Sequence, residues 1–199
     1  MDKMLTIPNC HLDIGCGDRP RNPYRREYLY GLDIRHIDSK DGVIFKKADL
    51  NYEKIPFEDN FFGSISAFDY LEHIPRVLVT DQNKTKFPFI EIMNEVWRVL
   101  ANGGKFYALT PCYPAPQAFQ DPTHVNFITE ATHQYFCGDN PEGLMYGFKG
   151  KFKAEKCEWI IHKDSHFADQ RSIKQEVRRL LQKSKGKLSH FKWELTAIK

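Results

Sequence analysis

Three aspartates, Asp13, Asp33 and Asp49, fall at or near the ends of apolar runs, and acids repeated at such places are hard to explain by turn capping alone. Asp13 lies in Leu12-Asp13-Ile14-Gly15-Cys16-Gly17, a buried-strand pattern that breaks into two glycines. Only glycine accepts positive φ freely and lets backbone approach a ligand closely. Eighteen residues after Gly15, Asp33 closes a second apolar run, Tyr28-Leu29-Tyr30-Gly31-Leu32, and Ile34 follows. A glycine turn after one strand and an acid at the tip of the next is how doubly wound sheets hold a nucleoside. The acid accepts from ribose hydroxyls, and the ligand lies across the carboxyl ends of the strands. Asp49 and Leu50 follow the run Val43-Ile44-Phe45-Lys46-Lys47-Ala48. There Asp49 is placed either to accept from an adenine amino group or to cap its own turn.

The nucleoside is a dinucleotide or S-adenosylmethionine, and the residues favour the second. A dinucleotide fingerprint has a third glycine so that a helix can aim its amides at the pyrophosphate. Here that stretch reads Asp18-Arg19-Pro20, and Asp13 would repel a pyrophosphate. S-adenosylmethionine carries no phosphate, and its ammonium suits Asp13 directly or through water. Ser64-Ile65-Ser66-Ala67-Phe68 is rich in small residues, which places the methionine part of the donor over Ala67, Phe68 and Asp69. The expected donor contacts are Asp13, Gly15, Cys16, Gly17, Asp33, Ile34, Asp49, Leu50, Phe68 and Asp69.

A second set of residues suits proton transfer. Asp121 and His124 bracket the turn Asp121-Pro122-Thr123-His124. A histidine oriented by a carboxylate accepts protons near neutral pH. The alternative for His124 is a ring tied to backbone that fixes its loop. His73, in Leu71-Glu72-His73, is a further candidate, either catalytic or shaping the site. Methyl transfer from a sulfonium needs chiefly alignment, worth about 7–11 kcal/mol. A base is required only when the acceptor must lose a proton, so the catalytic set of His124, Asp121 and His73 can be small.

The elements that must position these groups follow from periodicity. Residues 18–27 contain two prolines and leave room for a turn or two of helix at most. Residues 75–88 read as a surface excursion. Pro88 then opens a helix in which Phe89, Met93, Val96 and Leu100 form one apolar face, with Asn102-Gly103-Gly104 as its C-cap. Lys105-Phe106-Tyr107-Ala108-Leu109-Thr110 is the next strand, and the loop 119–127 should lie over the carboxyl ends. Residues 129–136 read as a short helix. Two alternating stretches, 148–162 and 190–199, form an antiparallel pair closing the sheet. Between them a helix carries Ile173, Val177, Leu180 and Leu181 on one side. Lys174, Arg178, Arg179 and Lys183 occupy the other, which is read as solvated. The expectation is an α/β, Rossmann-like doubly wound sheet, mostly parallel with a C-terminal antiparallel strand, with helices on both faces and residues 1–199 forming one domain.

With 199 residues and 41% hydrophobic content, the chain can build a full core. It has no apolar run near the ~20 residues that span a bilayer, and no leader pattern is visible. Five scattered cysteines without Cys-x-x-Cys fit a reducing cytosol and argue against a disulfide framework or structural zinc. These features predict a cytoplasmic protein without membrane insertion. A net charge of +3 does not by itself imply nucleic acid.

Leu12-Asp13-Ile14-Gly15-Cys16-Gly17, Gly31-Leu32-Asp33, Ala48-Asp49-Leu50, Ile55-Pro56-Phe57, Leu71-Glu72-His73 and Glu95-Val96-Trp97-Arg98-Val99-Leu100-Ala101-Asn102-Gly103-Gly104 occur in that order. Together they resemble the class I S-adenosylmethionine-dependent methyltransferases, of the broad type that includes the ubiquinone-biosynthesis C-methyltransferases. The resemblance covers roughly residues 10–115. It departs at Arg19-Pro20, where the third glycine is lost, and at Gly63, where an acid is usual. It implies S-adenosyl-L-methionine as cofactor and leaves the acceptor open. Aromatics and prolines in the loop after the fifth strand favour a small-molecule or glycan acceptor. Competing readings are a catalytically silent S-adenosylmethionine-binding protein, an NAD-dependent oxidoreductase and a tRNA methyltransferase.

Overall fold

The computed structural model describes residues 7–199. Among the described residues ten strands form: β1 (Cys10–Ile14), β2 (Tyr28–Asp33), β3 (Val43–Lys47), β4 (Phe62–Phe68), β5 (Leu78–Val79), β6 (Thr85–Lys86), β7 (Leu100–Pro111), β8 (Phe152–Ala154), β9 (Glu158–Ile160) and β10 (His190–Ala197). Eight of them make one sheet in the order β3-β2-β1-β4-β7-β10-β8, with β9 also paired to β10. From β3 to β7 all pairings are parallel, whereas β10 runs antiparallel to β7, β8 and β9. The order reverses between β1 and β4, which opens a crevice at their carboxyl ends. β5 and β6 form a separate small hairpin inside the expected surface excursion.

One face of the sheet is apolar because strand alternation puts every second residue there. Cross-strand register aligns Leu12, Ile65, Phe106 and Leu195 in one row, and Ile14, Ala67, Ala108 and Trp193 in the next. All eight are at most 1% exposed. Helix α1 (Pro88–Val99) covers this face with Ile92, Met93, Val96 and Val99, and Pro88 starts it where no amide hydrogen is needed. Burial of each such side chain contributes about 1.5–3 kcal/mol. The helix stops at Val99 instead of at the expected Asn102-Gly103-Gly104 cap, because Leu100 is already extended and paired with Phe62.

The opposite face carries the C-terminal helix at its β9–β10 end and is otherwise closed by irregular chain. No helix follows β1. With Pro20 and Pro23 in place, residues 18–27 cross this face without helix, and the chain around residues 165–168 completes the cover. Tyr107 Oη donates to the Ser165 carbonyl at 2.9 Å, and the Ala168 amide donates to the Pro23 carbonyl at 3.0 Å. The predicted C-terminal helix forms as α2 (Ile173–Ser184), started by a capping box between Ser172 and Gln175. The basic side read as solvated is so at Lys174, Arg178 and Lys183, which are exposed, but not at Arg179. Arg179 is buried and donates to the Trp159 carbonyl at 2.9 Å, whereas Ile173, Val177, Leu180 and Leu181 are exposed. Residues 129–136 shorten to a 3-10 turn, Thr132–Phe136. Among the described residues no helix is long and apolar enough to cross a membrane.

Candidate functional site

The turn after β1 is built around Gly15. Its φ of +65° is left-handed, and a Cβ there would stand 2.5 Å from Cδ2 of Tyr70, so any larger residue collides with the ring. The Gly15 amide donates to the Leu32 carbonyl at 2.8 Å and locks the turn to β2. Beside it a cleft of about 340 Å³ opens at the carboxyl ends of β1, β2 and β4, within the size range of small-molecule sites. It is lined by Gly15, Asp33, Ile34, Asp49, Leu50 and Asp69 from the expected set. Leu32, Arg35, Ala48, Asn51, Tyr70, His73 and Ile74 complete the lining.

Asp33, at the tip of β2, is 7% exposed. Its Oδ2 accepts from the Gly17 amide at 2.9 Å, and its Oδ1 accepts from the Arg35 amide at 3.0 Å and from Arg35 Nε at 2.9 Å. Burial works against the charge, but the Arg35 contacts and the Gly17 amide outweigh it and lower the pKa of the carboxyl. Asp49 does both things considered for it. Its Oδ1 accepts from the Asn51 amide at 3.0 Å, capping the turn, and it also faces the cleft.

Asp69 follows β4 with φ of 49°, an uncommon conformation for an aspartate. Two rings clamp it: His162 Nε2 lies 3.2 Å from Oδ2, and His190 Nε2 lies 3.1 Å from Oδ1. Burial alone would raise its pKa, yet the two imidazoles hold it well below the ordinary carboxylate range. Nothing in the sequence signalled these histidines, because only the closure of β10 against β7 brings them to Asp69.

Four expected donor contacts lie outside the cleft. Asp13 is fully buried; its Oδ1 accepts from Ser66 Oγ at 2.5 Å and its Oδ2 from the Arg21 amide at 2.7 Å. Alternation turns it to the face covered by residues 18–27. Phe68 has the same parity and packs against Tyr107, with the Arg21 guanidinium 4.7 Å from its ring centre. Cys16 is buried, its thiol donating to the Gly17 carbonyl at 3.2 Å. Gly17 acts through Asp33, whose carboxylate its amide holds.

The three residues expected to move protons come together at one end of the cleft. His73 and His124 stack edge to face with centroids 4.7 Å apart. Asp121 Oδ2 lies 4.0 Å from His124 Nε2, and Asp121 Oδ1 accepts from Thr123 Oγ1 at 2.7 Å. Glu72, between them and the core, is 1% exposed, and burial raises its pKa to about 8. A larger cavity of about 540 Å³ lies past the end of β7, lined by Tyr113, Pro114, Glu130, Trp159 and Leu188 among others, and it contains none of the expected site residues.

No protein-family model and no curated protein matches this chain. Solved structures do match. One is a Haloferax volcanii complex of a methyltransferase with the methyltransferase activator Trm112, at 12% identity, covering 99% of this chain and 86% of the other with a TM-score of 0.60. Another is an S-adenosylmethionine-dependent methyltransferase from Mesorhizobium loti, at 15% identity, covering 94% and 89% with a TM-score of 0.54. A third is the [4+2]-cyclase SpnF, at 15% identity, covering 98% and 77% with a TM-score of 0.56. At such identities the likeness concerns the fold alone.

Proposed function

From the fold of the class I S-adenosylmethionine-dependent methyltransferases, which this chain shares, we propose that it transfers a methyl group from S-adenosylmethionine to a small-molecule or glycan acceptor. The observation that carries this reading is the charge of the cleft. Asp33, Asp49 and Asp69 line it, and its one arginine, Arg35, is already paired with Asp33. Such a lining opposes a pyrophosphate and suits a ligand whose far end is cationic. Asp33 accepts from the ribose, Asp49 from the adenine amino group, and Asp69, kept ionised by its two histidines, attracts the ammonium assigned above to Asp13. When bound, S-adenosylmethionine supplies an electrophilic methyl on sulfur. Tyr70, packed on Gly15, walls the cleft from solvent, and the His73, His124 and Asp121 group meets the acceptor.

Calorimetric titration with S-adenosylhomocysteine tests the reading. Wild-type chain binds one equivalent, and Gly15→Val abolishes binding because the new side chain meets Tyr70. Equal affinity in both would overturn the placement. One second reading, a donor-binding protein that transfers no methyl, is favoured by the first motif, whose third glycine is lost at Arg19-Pro20. Donor binding without labelled product across acceptor pools supports that reading instead.

A further inference from the structure

Three side chains with ligand-type atoms converge beside the cleft. Glu72 and His73 belong to the 3-10 turn Leu71–His73 after β4, and His124 comes from the loop after β7. One ligand-type atom from each lies within 4.8 Å of those of the other two.

The hydrogen bonds fix which atoms are free. Thr123 Oγ1 gives its proton to Asp121 Oδ1 at 2.7 Å and lies 2.9 Å from His73 Nδ1. The hydroxyl proton is committed, so His73 Nδ1 is the donor and its Nε2 keeps a lone pair. His124 Nδ1 faces the Ala118 carbonyl oxygen at 3.3 Å; it too donates there, which leaves a lone pair on Nε2. Glu72 Oε2 accepts from Thr110 Oγ1 at 3.1 Å, but Oε1 is buried without any partner. His124 Nε2 stands 4.0 Å from that oxygen, too far for a hydrogen bond and within the span of two ligands each about 2.1 Å from one ion. Burial alone would leave the orphaned Glu72 carboxyl protonated; a cation shared with the free lone pairs of the two imidazoles would instead hold it ionised.

We propose that Glu72, His73 and His124 hold a divalent transition-metal ion at the acceptor end of the donor cleft. Two imidazoles and one carboxylate are a ligand set for zinc or iron-type ions, and three protein ligands leave positions open for an oxygen of a bound molecule. Each ring also has the outer hydrogen bond typical of metal-binding histidines, His73 to Thr123 and His124 to a backbone carbonyl. The neighbouring Asp69, His162 and His190 group contrasts with this. There the Nε2 of each ring meets a carboxylate oxygen of Asp69 at 3.1–3.2 Å, so the group is satisfied without an ion. The role of the ion, presenting an acceptor oxygen, rests on the methyltransferase reading; its existence does not.

The test is calorimetric titration of the full chain, stripped with EDTA, using Zn²⁺ and Mn²⁺ in separate runs. One equivalent of at least one ion should bind. His124→Ala should weaken it by more than about 100-fold, and Thr123→Val by about 10-fold, as outer-shell losses do. His162→Ala should bind as the wild type does. Because His124 sits on a loop, its variant keeps the test decisive even where Glu72→Gln fails to fold. Absence of stoichiometric binding, or wild-type affinity in His124→Ala, overturns the site, as does loss of binding in His162→Ala alone. S-adenosylhomocysteine titrated into the stripped protein separates the two proposals. Nucleoside binding without ion binding sinks only the metal, and ion binding without nucleoside binding sinks only the donor reading.

Discussion

The two faces of the central sheet are made of the same four strands and could hardly differ more in composition. Under α1 lie the rows Leu12, Ile65, Phe106, Leu195 and Ile14, Ala67, Ala108, Trp193. On the reverse the rows are His11, Ser64, Lys105, Thr196 and Asp13, Ser66, Tyr107, Glu194. The difference follows the cover. A helix satisfies its own backbone and offers side chains, so it needs an apolar partner. An extended segment offers unpaired amides and carbonyls, so the strands beneath it must supply polar atoms. The Arg21 amide donates to Asp13, Tyr24 Oη donates to Glu194 Oε1 at 3.0 Å, and His11 lies between Ser64 and Ser66 at 2.7 and 2.8 Å. Asp13 is therefore part of how residues 18–27 are held down, while Asp33, one strand away, faces the cleft.

The largest expected effect is on the apolar face. Phe106→Ala should cost about 3–5 kcal/mol in denaturant unfolding, since it opens a cavity between α1 and the sheet. A loss below 1 kcal/mol would mean that α1 is not packed there. Next comes the cleft: Asp33→Ala removes a charged acceptor worth about 1.5–3 kcal/mol and should weaken S-adenosylhomocysteine about 10- to 100-fold by calorimetry.

The polar face should show itself through pH. Burial raises Asp13 to about 7 and lowers His11 to about 3, the latter with help from the charge of Arg26. Between about pH 4 and 7 the folded Asp13 holds a proton that the unfolded chain releases, so its contribution to stability falls as pH rises through that window. His11 acts oppositely: below about pH 6.5 the unfolded chain takes a proton that the folded ring refuses, and stability falls as pH drops toward 3. In Asp13→Asn the decline between pH 4 and 7 should be absent from chemical-denaturation curves; an unchanged profile would contradict the assignment. The smallest effect belongs to α2, where Leu180→Gln on the exposed side should shift stability by no more than about 0.5 kcal/mol.

Much of this was readable from residue patterns. The strands and α1 announce themselves through periods of 2 and 3.6, and the glycine turn with its following acid points to the cleft. Asp13, beside the turn, and Phe68, in the small-residue strand, both read as donor contacts, yet their shared parity with His11, Ser64 and Ser66 places them on the other face. The end of α1 was hidden because Gly103, at φ +77°, serves a bend inside β7 and not a helix cap. His162 and His190 reach Asp69 only through sheet closure across about a hundred residues of chain. The burial of Arg179 on α2 reflects the pull of Glu158, Glu176 and the Trp159 carbonyl, which no helical pattern displays.

The most direct test of the central claim sets two aspartates against each other in one titration series with S-adenosylmethionine. Asp13→Asn should bind the donor as the wild type does, whereas Asp33→Ala should lose most of its affinity. Wild-type binding by Asp33→Ala, or its loss in a folded Asp13→Asn, would contradict the placement of the donor in this cleft.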